Sequence, residues 1–163
     1  MATDHVRADR RTYGSWGQLV TKILVVHGAG MNMRGKSQIE RFGPMLLSDY
    51  DAHIEKYASE LGVEVDIFHS NIEGEVIDKF YEGHDKGVDG ALINPAGYTT
   101  GHPALAAAIG QVGFPTFEIH ISNPAARGGV SQIAPACKGV ITGFGIYGYH
   151  LGIEGALRLL NGG

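Results

Sequence analysis

Short apolar segments alternate with helix-like segments along residues 22–160, and this alternation constrains the fold more than any other feature of the chain. The predicted strands lie at 22–27, 63–68, 89–94, the start of 114–127, and 139–143. The predicted helices lie at 48–61, 73–84, 103–112 and 147–160. Strands that alternate with helices at this spacing form crossover units around a parallel sheet.

Right-handed crossovers place helices on both faces of such a sheet. We therefore predict an α/β fold of the flavodoxin-like type, a doubly wound, five-stranded parallel sheet with the strand order 2-1-3-4-5. Residues 22–163 are expected to form a single domain. Residues 1–21 are read as an N-terminal extension, which either moves freely or packs on a neighbouring subunit.

The first long helix has the clearest local signals. Ser48 is a suitable N-cap, and Asp49 and Asp51 follow where the helix dipole favours anions. Its predicted apolar face consists of Tyr50, Ile54, Tyr57, Ala58 and Leu61. Residues 34–47, which precede it, are expected to form a loop.

Composition excludes several classes of protein. Of the 163 residues, 44% are hydrophobic and 18% are charged, which is typical of a globular domain. The net charge of −4 argues against nucleic-acid binding, and no apolar run reaches the length of a membrane helix. The one cysteine, Cys137, cannot form an intramolecular disulfide and fits a reducing compartment, so we expect a cytoplasmic protein.

The segment 114–127, FPTFEIHISNPAAR, carries the strongest functional signal. Alternation along a strand places Glu118 and His120 on the same face. Ser122 and Arg127 follow where the strand should end, which is where open α/β sheets bind ligands. The pattern alone also allows a core histidine held by its neighbouring carboxylate and followed by an ordinary loop.

The predicted topology brings together the ends of strands one, three and four. The polar side chains of these segments are Asn32, Asn94, Thr99, Thr100, His102, Glu118, His120, Ser122 and Arg127. Backbone N–H groups near Ile121 and Ser122 are also able to hold an anion. This set suits a small anionic substrate better than a large apolar ligand.

Other kinds of site have weaker support. The segment GAGMNMRG resembles a dinucleotide loop, but Met33 stands where a third glycine is needed, and we expect no cofactor. His27, His102 and His120 lack the tight spacing of a metal site, so no metal is expected. Cys137 precedes strand five, at the wrong end for a nucleophile, and no Gly-x-Ser-x-Gly elbow is present.

At the level of motifs, the chain resembles the type II dehydroquinases, which are small 3-dehydroquinate dehydratases. The matching segments are ILVVHGAGMNMRG, SNIEGEVID, INPAGYT, FEIHISNPAAR and GFGIYGY, and they span residues 22–160. The resemblance implies a flavodoxin-like fold and the removal of water from a cyclic hydroxy-ketone carboxylate. It also implies a homo-oligomer, built from trimers that gather into dodecamers.

The resemblance also implies roles for individual residues. His120 matches the general acid, Asn94 the asparagine that orients it, and Glu118 the carboxylate two residues before it. Ile121 and Ser122 match the backbone pair that grips the substrate carboxylate. Arg127 matches an arginine that tunes the family's catalytic tyrosine, which lies in a lid loop and abstracts the proton.

This sequence departs from the family pattern in the lid and around it. The lid reads GKSQIERFG, so Ser37 replaces an arginine and Phe42 replaces the catalytic tyrosine. Gly30 replaces a functional asparagine, and Thr100 replaces the second histidine. Ala107 replaces an acid presented to a neighbouring subunit, and the loop after Arg127 is shortened.

These departures leave several interpretations open. His102, Arg34 and Arg41 are candidates to take over lost functions, and a one-residue slip of the lid alignment would let Tyr98 or Tyr13 serve as the base. We expect a lyase, hydratase or ring-opening enzyme that acts on a small anionic cyclic hydroxy-ketone or a related carboxylate. The alternatives are an authentic 3-dehydroquinate dehydratase with an unusual base and a non-catalytic ligand-binding protein.

Overall fold

Five parallel strands form one sheet in a computed structural model that describes residues 20–162. The strands are β1 (Lys22–Ala29), β2 (Glu64–His69), β3 (Gly90–Ala96), β4 (Thr116–His120) and β5 (Gly139–Thr142). Their order is β2-β1-β3-β4-β5, and every neighbouring pair is parallel. The predicted flavodoxin-like order 2-1-3-4-5 is therefore confirmed. Most of the proposed N-terminal extension, including Tyr13, lies outside the described residues.

Five α-helices and three 3₁₀ turns connect the strands within the described residues. The helices are α1 (Ile39–Phe42), α2 (Leu47–Leu61), α3 (Glu73–Lys86), α4 (Pro103–Gln111) and α5 (Tyr147–Leu160). The 3₁₀ turns are Met31–Met33, Pro124–Arg127 and Ala134–Ala136. None of these helices is both long and apolar enough to cross a membrane.

Two local predictions are wrong. Residues 34–47 are not entirely loop, because they contain the short helix α1. Ser48 is not the N-cap of α2, since the helix begins one residue earlier, after Leu46. The Asp49 carboxylate accepts a hydrogen bond from the Leu46 backbone N–H at 2.8 Å, which fixes the start of the helix at Leu46 and not at Ser48.

Side chains of the strands alternate between two cores, one on each face of the sheet. On one face, Val25, Leu92 and Ile119 pack with buried residues of α2 and α5, such as Ile54 and Ile153. The other core, beneath α3 and α4, is built from Leu24, Val26, Ile93, Phe80 and Leu105. Burial on both faces explains why the central strands have continuous apolar sequences.

The carboxyl ends of β1 and β3 approach each other closely at Gly28. A Cβ atom at this position would lie 2.0 Å from the Pro95 carbonyl oxygen, so only glycine fits. This contact holds the segment after β1 against the segment after β3. The two segments together form one wall of the candidate site.

Candidate active site

A cavity of about 370 Å³ opens at the carboxyl edge of the sheet. Its walls come from the segment after β1, from α1, and from the ends of β3 and β4. The lining residues are Ala29, Gly30, Met33, Arg34, Ser37, Gln38, Phe42, Asn94, Ala96, Gly97, Thr99, His120, Ile121, Ser122, Pro124 and Arg127. This is the edge at which parallel α/β sheets bind ligands.

His120 and Glu118 form a hydrogen-bonded pair at the end of β4. His120 Nε2 bonds to Glu118 Oε1, and the Ser131 hydroxyl donates to Glu118 Oε2 at 2.9 Å. Glu118 is fully buried behind the histidine, whereas His120 lines the cavity. The carboxylate therefore fixes the imidazole and leaves Nδ1 as the ring nitrogen available to a ligand. His120 is thus not a core histidine, which removes the alternative that the pattern allowed.

Asn94 lines the cavity at the end of β3 and begins a buried chain of hydrogen bonds. Its Nδ2 donates to the Tyr149 hydroxyl at 3.2 Å. The Tyr149 oxygen lies 3.4 Å from His27 Nδ1, and His27 Nε2 lies 3.0 Å from Asp51 Oδ1. A carboxylate only accepts hydrogen bonds, so His27 Nε2 is the donor to Asp51 and Nδ1 accepts from Tyr149.

This chain of hydrogen bonds gives the Asn94 amide a defined orientation. With Nδ2 bound to Tyr149, the carbonyl oxygen of Asn94 remains as an acceptor for other partners. Burial raises the pKa of Tyr149 well above its usual range, so this phenol stays protonated and serves as a fixed hydrogen-bonding group. Sequence reasoning missed Tyr149 and Asp51 as supports of the site, because their contacts span distant parts of the chain.

The loop after β4 supplies a second polar wall. Arg127 Nη2 donates to the Ser122 hydroxyl at 3.0 Å, and Nη1 donates to the Asn123 carbonyl at 3.3 Å. Ile121, Ser122 and Arg127 all line the cavity, where the sequence places its anion-binding residues. Both of these partners are neutral, so neither is a counterion for the guanidinium.

Arg34 enters the cavity from the opposite wall. Its guanidinium carbon lies 3.6 Å from the centre of the Phe42 ring, which is stacking distance. Burial lowers the pKa of Arg34, although the Tyr50 and Tyr149 phenols act in the opposite direction. Phe42, which the sequence predicts to replace the lid tyrosine, thus serves as a platform for an arginine.

The remaining lid residues divide between the cavity and the solvent. Ser37 lines the cavity, and so does Gln38, which the sequence does not single out. Arg41 is exposed, lies outside the lining, and its guanidinium carbon is 5.9 Å from the centre of the Phe42 ring. Of the two lid arginines, only Arg34 is placed to contact a ligand.

Three predicted binding residues lie outside the cavity. His102 Nδ1 is 3.1 Å from Glu73 Oε2. Asn32 is exposed, and its Oδ1 is 3.4 Å from Asn71 Nδ2. Thr100 is absent from the lining, whereas its neighbour Thr99 is part of it.

Tyr98 is not placed to act as a base. It is 3% exposed, its hydroxyl donates to the Ser70 carbonyl at 3.1 Å, and it does not line the cavity. Residues 20–162 contain no group of three His, Cys, Asp or Glu side chains arranged to hold a metal ion. His27 and His102, considered for a metal site with His120, are instead paired with Asp51 and Glu73.

Two cavity residues have unusual backbone conformations. Gln38 and Ala96 have φ angles of 52° and 46°, and they are the non-glycine residues with positive φ among those described. Such conformations carry a cost and tend to persist at functional sites. Their shared location in the cavity wall supports its assignment as the active site.

Comparison with known proteins identifies the family of this chain. The family model described as "Dehydroquinase class II" matches residues 21–157. The chain belongs to the class II dehydroquinase family. The resemblance seen in the motifs is thereby confirmed over nearly the whole of the described chain.

Curated relatives extend the match. A "3-dehydroquinate dehydratase" of Campylobacter jejuni subsp. jejuni (strain 81-176) is 41% identical over 141 residues, covering 85% of this chain and 88% of that protein. A protein of the same name from Campylobacter hominis is 43% identical over 141 residues, covering 85% and 90% respectively.

Solved structures of class II dehydroquinases have the same fold. The type II dehydroquinase from Butyrivibrio crossotus gives a TM-score of 0.80 at 33% identity, covering 87% of this chain and 98% of that one. A "3-Dehydroquinate Dehydratase-like Protein" from Bifidobacterium longum gives a TM-score of 0.65 at 30% identity, covering 86% and 98%.

Proposed function

We propose that this class II dehydroquinase is a carbon–oxygen lyase that removes water from, or adds it to, a small anionic cyclic hydroxy-ketone or a related carboxylate. The observation that carries this proposal is His120, which lines the cavity with Glu118 bound behind it and one ring nitrogen unused. A histidine held in this way is suited to move a proton to or from a hydroxyl that leaves or arrives.

Asn94 and the anion-binding wall supply the remaining functions. The oriented amide of Asn94 positions a substrate oxygen beside His120, since both residues line the same cavity. Arg127 and the Ile121–Ser122 backbone hold a substrate carboxylate. No aspartate or glutamate is among the lining residues of the described chain, which supports an anionic substrate.

The residues of the lid favour a substrate other than 3-dehydroquinate. A phenyl ring cannot accept a proton, and losing a positioned general base costs roughly 10²–10⁴ in rate. Phe42 stands at the position of the family's tyrosine, and no tyrosine lines the cavity within the described residues. In the proposed reaction His120 is the central acid–base group. A ring-opening hydrolysis on the same scaffold is a variant of this reaction.

Authentic 3-dehydroquinate dehydratase activity is the second candidate. It is favoured by the 41–43% identity to proteins that carry this name. In that case a group other than the residue 42 side chain takes the proton next to the ketone, and His120 protonates the leaving hydroxyl.

A direct assay separates the two candidates. The purified full chain at high concentration is mixed with 3-dehydroquinate, and the appearance of the conjugated enone is followed by ultraviolet absorbance. Formation of the enone that is lost in His120→Ala establishes the second candidate. If none forms, the enzyme is incubated with related cyclic hydroxy-carboxylates, and elimination or hydration is followed by nuclear magnetic resonance.

The first candidate requires a compound from this set that is consumed by the wild type and not by His120→Ala. Turnover that is unchanged in His120→Ala contradicts the role of the histidine. A compound that binds and is recovered unchanged after long incubation favours the non-catalytic alternative.

We also propose a homo-oligomer built from trimers, with a dodecamer as the complete assembly, and a cytoplasmic location. The basis is the family to which the chain belongs. Light scattering on the purified protein should give a mass near twelve times the 17.4 kDa chain mass, or three times for an isolated trimer. A monomeric mass at micromolar concentration contradicts the proposal.

A further inference from the structure

We infer that the cavity takes a substrate with two separate anionic groups, a small dicarboxylate in which Arg34 holds the second carboxylate. The inference deepens the proposed function and rests on it for the assignment of the first carboxylate to Arg127 and the Ile121–Ser122 backbone. It adds a binding site, at the lid, with a stated ligand chemistry.

Arg34 has the features of a ligand-binding arginine. Its guanidinium stacks on Phe42, and stacking occupies only the face of the planar group. The in-plane N–H donors remain directed around the edge, which is the geometry that binds a carboxylate with two hydrogen bonds. The Nε atom of Arg34 is buried and has no hydrogen-bond partner among the described residues.

A partly buried cation without a counterion is unfavourable. Arg34 loses solvation in the cavity wall, which is why its pKa falls, and no described aspartate or glutamate forms a salt bridge with it. The nearby Tyr50 hydroxyl is also buried without a partner among the described residues; burial raises the pKa of this phenol, and the Arg34 charge acts in the opposite direction. An anionic ligand group would compensate the Arg34 charge in this region.

Arg34 and Arg127 approach the cavity from different walls. Arg34 follows β1, whereas Arg127 ends the 3₁₀ turn after β4, and β3 lies between these two strands. Neighbouring strands are about 4.8 Å apart, so the two strand ends are separated by roughly 10 Å. Two like charges that enter the cavity from different walls are suited to hold two groups of one small ligand.

The cationic character belongs to the cavity and not to the whole protein. The chain has a net charge of −4, yet the lining contains two arginines and, within the described residues, no aspartate or glutamate. Glu118 lies behind His120 and is already bound to His120 and Ser131. The local excess of positive charge therefore matches a ligand with more than one negative charge.

The test compares matched ligands that differ by one carboxylate. Cyclohexanecarboxylate is titrated into the full-length protein by calorimetry, beside the cis and trans isomers of cyclohexane-1,3- and 1,4-dicarboxylate. At least one dicarboxylate should bind about tenfold more tightly than the monocarboxylate, because it gains a charge-assisted contact with Arg34. Equal affinities, or no dicarboxylate binding at 10 mM, overturn the inference.

Two variants assign the preference to Arg34. Arg34→Met should reduce the preference for the dicarboxylate to about twofold or less, with little change in monocarboxylate affinity. Lys36→Met is the matched control, because Lys36 is an exposed cation two residues away that does not line the cavity. A preference that survives Arg34→Met, or is lost equally in Lys36→Met, contradicts the assignment.

Failure of this inference is distinguishable from failure of the proposed function. His120→Ala should keep the dicarboxylate preference while abolishing turnover, since binding and proton transfer use different side chains. If the wild type prefers dicarboxylates but turns over no substrate, the second binding site is supported and the proposed lyase activity is contradicted. Turnover that is limited to monocarboxylates supports the lyase and contradicts the second binding site.

Discussion

Asn94 donates a hydrogen bond from Nδ2 to the hydroxyl of Tyr149 at 3.2 Å, and this contact decides which way the amide of Asn94 faces. Tyr149 lies in α5, which packs against β3 and β4 from one face of the sheet. The helix therefore supports the active site through a hydrogen bond as well as through its apolar residues. His27 and Asp51 extend the support to α2.

Tyr149→Phe should destabilise the protein by about 1–3 kcal/mol. The substitution leaves Asn94 Nδ2 and His27 Nδ1 buried without their partner, and unpaired buried groups cost this much. Urea unfolding measures the change. Tyr147→Phe is the control, because Tyr147 is 48% exposed and its substitution should alter stability by less than about 0.5 kcal/mol.

The same variant should also lower turnover once a substrate is identified, because the Asn94 amide loses its fixed orientation. Equal stability and equal turnover in Tyr149→Phe and Tyr147→Phe would contradict the role of this chain of hydrogen bonds in stability and in positioning Asn94.

Glu118→Gln should reduce turnover by about tenfold or more while the fold is retained. The amide keeps the shape of the carboxylate but removes the negative charge that fixes the His120 imidazole. The measurement is the steady-state rate on whichever substrate the enzyme proves to accept, with circular dichroism to establish folding.

Glu73→Gln is the matched control for Glu118→Gln. Glu73 Oε2 lies 3.1 Å from His102 Nδ1, within ion-pair distance but without a hydrogen bond, and neither residue lines the cavity. Its turnover should stay within about twofold of the wild type. Similar losses in both variants would indicate a general effect of carboxylate removal and contradict the special role of Glu118.

Gly152→Ala should destabilise the protein by about 1–3 kcal/mol, since a Cβ atom at this position would lie 2.8 Å from Ile119 Cδ1 and 3.1 Å from Leu92 Cδ2. Gly155→Ala is on the same helix and has no atom within 4 Å of its added Cβ, so it should stabilise the helix by up to about 1 kcal/mol. Thermal or urea unfolding checks both values. The two substitutions should change the free energy of unfolding in opposite directions, and changes in the same direction contradict the prediction.

The sequence predicted the sheet well because its signals are local. Continuous apolar runs such as 22–27 identify strands buried on both faces, and the alternation of strands with helices defines a parallel order. Glu118 and His120 were placed on one face by the two-residue period of a strand, and the structure joins them by a hydrogen bond. The first conclusion needs only the succession of short segments along the chain, and the second only two residues that are two positions apart.

The supports of the site depend on contacts that no local pattern reveals. Tyr149 and Asn94 are 55 positions apart, and Tyr149 and His27 are 122 apart. Arg34 was one of three candidates, and only the path of the lid decides that it faces the cavity while Arg41 faces solvent. The start of α2 was misplaced because Asp49, inside the helix, bonds back to Leu46.

Cys137 should be unreactive in the folded protein. Burial, with a smaller contribution from the negative charge of Glu118, raises the pKa of its thiol to about 12. An exposed cysteine in the unfolded chain has a pKa near 8.5, and only the thiolate reacts with iodoacetamide. At pH 8.5 the folded protein should therefore be alkylated at least about a hundredfold more slowly than the protein in urea, as measured by mass spectrometry over time.

The same shift makes stability depend on alkaline pH. The folded-state pKa lies above the unfolded value, so the contribution of the thiol is fully present below about pH 8.5 and decreases as the pH rises from there toward about 12. The stability difference between the wild type and Cys137→Ala should accordingly shrink above pH 8.5 in urea unfolding experiments. A difference that is constant from pH 7 to pH 10, or rapid alkylation of the folded protein, would contradict the buried, neutral thiol.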